Sequence, residues 1–167
     1  LLFSSSGIPL RNGRNSESKN ILLIIPELGT GGAERSISKL SQLLSRDHNV
    51  YLCVNNLDNE SHYSIGGRLI NLGLPQSRNF SHKCILWSKR IHLIRKVKRD
   101  LSIDTSISFL EGSNYINVLT RGKNKVVLTV RGSLRGDRTI RGLIGMIRKK
   151  LLIPQIFRKG DQVIVVS

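Results

Sequence analysis

The sequence predicts an α/β fold: a mostly parallel sheet of about six strands with helices on both faces. Three observations point to it. Ile21 to Ile25 is an unbroken aliphatic run, which fits a strand buried on both faces better than a half-solvated one. Gly29, Gly31 and Gly32 follow it at once, and Ala33, Ile37, Leu40 and Leu43/Leu44 then recur at helical spacing. Short apolar runs and helical-period segments go on alternating down the chain, with no internal repeat of fixed period.

Residues 1–19 are rich in Ser, Asn, Gly and Arg without any period, and read as a disordered lead-in. The folded domain is expected over residues 20–167. Asn20 to Pro26 is the first strand, closed by a proline that cannot donate to a sheet ladder. Ala33 to Arg46 is the first helix, and Asn49 to Val54 the second strand. Asn55 to Ser61 is a polar loop. Arg68 to Leu72 is a short third strand ended by Gly73 and Pro75, and residues 76–82 form another loop.

A long basic helix follows, Cys84 to Leu101. Trp87, Ile91, Ile94, Val97 and Leu101 share one face, and Lys89, Arg90, Arg95, Lys96, Lys98 and Arg99 are assigned to the rest. This is either an ordinary crossover helix with a wet outer face or one that also meets an anionic membrane. Trp87 reads as a core residue or as an interfacial anchor.

Thr105 to Leu110 is the fourth strand, Ser113 to Thr120 a short helix and Lys125 to Val130 the fifth strand. Arg138 to Ile153 is a second basic helix, weakened by Gly142 and Gly145 and stopped by Pro154. Gln162 to Val166 is the sixth strand.

At 167 residues the chain suits one domain with a proper core. It does not begin with Met, as a fragment or a processed product would not. Cys53 and Cys84 provide neither metal-ligand spacing nor a disulfide framework, which favours a reducing compartment. No apolar run reaches the roughly 20 residues needed to span a bilayer, and Leu1 to Phe3 is too short for a signal-peptide core.

The formal charge of +16 is uneven: up to His82 there are 8 Lys/Arg against 6 Asp/Glu, and from Lys83 onward 19 against 5. That asymmetry calls for a polyanionic partner, whether acidic lipid, nucleic acid or a phosphorylated ligand, unless it is only a solvated basic surface.

In a parallel sheet, ligands sit beyond the carboxyl ends of the strands, near the switch in strand order. Glu27 to Gly32, Asn55 to Asn56, Glu111 to Asn114 and Arg131 to Arg135 should therefore share one edge. Unpaired N–H groups and the dipole at the first helix start favour an anion such as a phosphate. The plain alternative is a tight βα turn that needs glycine and binds nothing. The glycines read G-x-G-G-A rather than G-x-G-x-x-G, and no acid ends the second strand, which argues against a dinucleotide site. No Gly-Lys-Ser/Thr follows, so a P-loop is excluded.

The GGAER of Gly31 to Arg35, directly after the first strand, resembles the N-terminal domain of family 4 glycosyltransferases of the GT-B fold. DTSISFLEGSNYINVL (Asp104 to Leu119) is similar to the fourth strand and following helix of that family. KVVLTVRGS (Lys125 to Ser133) is similar to its fifth strand, and GDQVIVVS (Gly160 to Ser167) to the strand that leaves the first domain. The resemblance spans residues 20–167 and implies a Rossmann-like sheet, one half of a GT-B fold.

That resemblance implies transfer of a sugar, of hexosyltransferase type, from a nucleotide-sugar donor to an acceptor hydroxyl, lipid-linked or polysaccharide. The nucleotide-sugar is then a substrate; no cofactor and no metal are implied, and no catalytic residue is assigned. Gly31 and Gly32 would face the donor diphosphate, and Glu111 and Asn114 would line the acceptor cleft. Many family members have His where Arg131 stands, so Arg131 would meet a phosphate on donor or acceptor, or else be a surface arginine at a strand end. A second domain, which supplies most donor contacts in the family, is not in this sequence. The chain alone is thus expected to hold half an active site and to show no turnover.

Lys89, Arg90, Arg95, Lys96, Arg99, Arg148, Lys149 and Lys150 form the expected anion surface. It would dock the enzyme peripherally on the cytoplasmic leaflet, each cation contributing on the order of 1 kcal/mol. The competing reading is a basic nucleic-acid-binding module. Aromatics at 5% leave few stacking platforms and no nucleic-acid motif is present, so nucleic acid is not the expected partner. A small hydrolase is disfavoured by the absence of a Gly-x-Ser-x-Gly elbow or a Cys/His pair. His48, His62, His82 and His92 read as structural or solvated.

Overall fold

A computed structural model describes residues 17–57, 63–75, 79–131 and 153–166. The lead-in over 1–16 and the expected second basic helix up to residue 152 lie outside the described residues, as do Arg148, Lys149 and Lys150.

Within the described residues the order is β1 (Asn20–Ile24), α1 (Gly32–Leu44), β2 (Asn49–Val54), β3 (Arg68–Asn71) and α2 (Phe80–Asp100). Then come β4 (Thr105–Ser108), α3 (Glu111–Leu119), β5 (Lys125–Arg131), α4 (Ile153–Lys159) and β6 (Gln162–Val166). The six strands form one sheet in the order β3-β2-β1-β4-β5-β6, and every pairing is parallel. This is the Rossmann-like class expected from the sequence. The order reverses between β1 and β4, where Ile24 pairs with Cys53 on one side and Ser108 on the other.

The aliphatic run of β1 serves both faces. Ile21, Leu23 and Ile25 pack with Leu52, Val54, Ala33 and Ile37 under α1. Leu22 and Ile24 pack with Cys53, Ile94, Ile103 and Ile116 under α2 and α3. Val126 and Leu128 meet Val118 and, from α4, Ile156 and Phe157. Apolar side chains cover β1 on both faces, which is why its sequence does not alternate.

Two segments differ from the sequence expectation. The basic helix starts four residues early, at Phe80. β4 ends at Ser108, two residues before the expected Leu110; Pro154 lies in α4, and the helix it was expected to stop falls outside the described residues.

The turn before β3 is fixed by close approach. Gly67 holds φ 83°, and a Cβ there would strike the Val50 carbonyl oxygen. Ser38 Oγ and Gln42 Nε2 of α1 donate to the Ser64 carbonyl oxygen at 2.5 and 2.6 Å. On the same amino edge of the sheet Asp104 accepts from the Asn20 backbone N–H at 2.8 Å, joining the starts of β1 and β4.

Candidate functional site at the carboxyl rim of the sheet

Two loops flank the switch in strand order: residues 25–31 after β1, and Phe109–Leu110 after β4. A crevice between such loops is where open parallel sheets take ligands. Gly31 caps α1 with extended backbone (φ −77°, ψ 174°) and no side-chain cap. Gly31 and Gly32 are exposed, and Gly29 has open space where a side chain would stand. The carboxylate of Glu34, in the first turn of α1, folds back so far that a Cβ on Gly31 would run into its Oε2. The helix opening thus carries an anion of its own, a half-buried carboxylate in the place a second anion would have to take. Tyr63 Oη donates to the Thr30 carbonyl oxygen at 3.0 Å and ties this loop to the segment before β3.

Across the switch point Leu110 precedes α3 at φ 70° and ψ 150°, a region that costs a non-glycine residue roughly 1–3 kcal/mol. Glu111 is half-buried and accepts from Tyr115 Oη at 2.7 Å. A Cβ on Gly112 would meet nothing within 4 Å.

Asn114 does not line a cleft. It is 2% exposed, its Oδ1 accepts from Ser108 Oγ at 2.7 Å, and its Nδ2 donates to the Thr129 carbonyl oxygen at 2.9 Å. The cause is β4, whose Ser106 and Ser108 face α3. A buried hydroxyl needs a partner, and α3 supplies Asn114 and Asn117. Arg131 ends β5 on the same rim, paired in register with Val166.

Four of the cations expected on the basic surface are solvated. Lys89, Arg95, Lys96 and Arg99 are exposed on α2. Lys96 and Arg99 pair with Asp100 at 3.0 and 3.5 Å, and Arg95 donates to the Leu119 carbonyl oxygen at 2.9 Å. Ile85 and Trp87 of the same helix are 55% and 40% exposed, and the Trp87 ring lies 6.4 Å from that of Tyr115.

Arg90 is not on that surface. It is 8% exposed and donates through Nη2 to Ser113 Oγ at 3.0 Å. Lys98, assigned to the wet face, is 6% exposed and donates to Asn117. The spacing held the signal: Arg90, Ile94 and Lys98 are four residues apart, so the inward-facing Ile94 carries both cations inward with it. Burial, helped by the charges of Arg121 and Arg95, pushes the Lys98 ammonium down to about 7. Burial likewise lowers the Arg90 guanidinium from its ordinary value, and it pushes the Cys53 thiol up to about 12.

Among the described residues no group of His, Cys, Asp and Glu could hold a metal ion. Nor is any helix among them long and apolar enough to cross a membrane.

No protein-family model matches the chain, and no curated protein matches it by sequence. Solved structures do match by fold. A sucrose-phosphate synthase from Thermosynechococcus elongatus superposes with a TM-score of 0.67 at 13% identity, over 89% of this chain and 42% of that one. A glycosyltransferase from Rickettsia africae superposes with a TM-score of 0.57 at 14% identity, over 90% of this chain and 43% of that one. The chain spans less than half the length of either structure.

Proposed function

We propose that this chain is the acceptor-side domain of a family 4 glycosyltransferase of the GT-B fold. The complete enzyme moves a sugar, in the manner of a hexosyltransferase, from a nucleotide-sugar to the hydroxyl of a lipid-linked or polysaccharide acceptor. One observation carries the reading most: the glycine turn of GGAER opens α1 on the carboxyl rim, at the switch in strand order, beside the β4–α3 loop. Both fold neighbours bear the names of sugar-transferring enzymes, which supports it further. In this reading Gly31 and Gly32 meet the donor diphosphate once Glu34 swings aside. Glu111 faces the acceptor and Arg131 a phosphate. A second domain brings the rest of the donor site, and this chain alone turns nothing over.

We further propose that the outer face of α2 rests on an anionic membrane leaflet on the cytoplasmic side. Exposed Ile85 beside Lys89, Lys96 and Arg99 supports this, because apolar insertion and cationic attraction reinforce one another at such a surface.

The test is a radiolabelled nucleotide-sugar assay of this chain and of the chain extended by its continuing reading frame. Turnover by the extended chain alone, lost in Gly31→Val, is expected. A continuing frame that encodes no second α/β domain sinks the reading. Flotation with vesicles that needs anionic lipid checks the membrane clause, and flotation indifferent to lipid charge removes it.

A further inference from the structure

Arg90 is a buried cation with no counter-ion among the described residues. The ion pairs among the described residues are Lys96–Asp100, Arg99–Asp100 and Arg121–Asp161, and none includes it. Its Nε is buried and has no hydrogen-bond partner among the described residues. Its one described partner is neutral, the hydroxyl oxygen of Ser113. A guanidinium held in the interior this way is costly unless an anion completes it.

The place that would be completed is the head of α3. Ser113 belongs to the opening turn of that nine-residue helix, whose first amides and dipole favour negative charge. Arg90 donates into Ser113 Oγ, so the Ser113 hydroxyl proton is turned away from Arg90. Beside it, the missing Cβ of Gly112 leaves open space. An oxyanion at the head of α3 would meet the Nε edge of the planar Arg90 fork and the helix start, with Ser113 Oγ holding the guanidinium in place. Guanidinium and phosphate match well in such a bidentate contact.

We propose that Arg90, Ser113 and the first turn of α3 form a receptor for one phosphate-type oxyanion carried by a ligand at the rim. The receptor stands on its own observations. That the carrier is the sugar acceptor rests on the proposed sugar transfer. Arg90 then acts as a specificity-determining residue, selecting acceptors that bear a phosphate over neutral ones. The cation and the receiving helix start come from elements far apart in sequence, joined by the packing of α2 on α3.

The test is a titration of the ¹⁵N-labelled 167-residue chain with inorganic phosphate at constant ionic strength, following the Arg90 Nε–H and Ser113 amide resonances. Both should move together and saturate. Arg90→Lys keeps the charge but loses the fork, and should weaken the effect about tenfold. The double variant Lys96→Gln/Arg99→Gln, on the exposed face, should change it less than about twofold. If Arg90→Lys does not fold, Ser113→Ala should lower the affinity severalfold with the fold retained. An unmoved Arg90 Nε–H, or equal weakening by the exposed-face variant, overturns the receptor. Competition by glucose 1-phosphate assigns the carrier to a soluble sugar. Competition only by phosphatidylglycerol vesicles assigns it to a lipid headgroup, and either result supports the receptor. Saturable phosphate binding at Arg90, with no sugar turnover by the extended chain, keeps the receptor and removes the sugar-transfer reading.

Discussion

The Lys98 ammonium nitrogen lies 2.8 Å from Asn117 Oδ1 and 3.1 Å from the Asn117 carbonyl oxygen, and no described carboxylate pairs with it. A lysine in that position is easier to bury neutral than charged. Its folded pKa of about 7 lies below the ordinary lysine value of 10.5. Between those values the unfolded chain holds the extra proton, so stability rises with pH. The contribution is complete above the unfolded value and is lost as pH falls through the folded one. Urea denaturation at pH 7 and pH 10 should show a gain on the order of 2–4 kcal/mol in the parent relative to Lys98→Met. Parallel pH profiles for the two proteins would refute this account of the Lys98 site.

Asn117 is the hub of the same layer. Its Oδ1 also accepts from Ser106 Oγ at 2.6 Å, and its Nδ2 donates to the Ser106 carbonyl oxygen at 3.2 Å and to Ser108 Oγ at 3.1 Å. Asn117→Ala leaves the Lys98 amino group and a strand serine short of partners, and should cost about 2–4 kcal/mol. Ser88→Ala on the exposed face of α2 should stay within about 0.5 kcal/mol. Urea midpoints at pH 8 compare them.

Two glycines with left-handed backbone should respond unequally. Gly67 has φ 83° and faces the Val50 carbonyl oxygen, whereas Gly73 has φ 62° and open space around it. Gly73→Ala bears only the conformational cost, about 1 kcal/mol. Gly67→Ala adds a clash with β2 backbone and should cost about 3 kcal/mol or more. Equal shifts in thermal midpoint would contradict the described packing.

The thiols should separate by burial. Cys84 is exposed, while Cys53 is buried with its pKa pushed up to about 12. Only the thiolate reacts. At pH 8 a thiol reagent should label one group promptly and the second only in denaturant. Prompt labelling of both in native buffer would show Cys53 to be open to solvent.

Much of the architecture was legible because the signals were local. Ile21 to Ile25 could only be a strand covered on both sides, and GTGGAER could only turn and start a helix. The parallel sheet follows from repeating that unit. The candidate rim was legible for the same reason, since a glycine turn after a strand lies at its carboxyl end. The start of α2 was not legible, because the polar residues before Cys84 have no apolar period to mark it.

Amino-acid order alone determined the α/β class, the glycine opening of α1 and the excess of cations after His82, since each depends on neighbours within a few residues. Tertiary structure decided which charged and polar groups are solvated. Only the packing of α2 on α3 takes Arg90 and Lys98 out of water, and only the serines of β4 turn Asn114 and Asn117 inward. Burial depends on partners distant in the chain, and the side chain's own chemistry would have put all four at the surface.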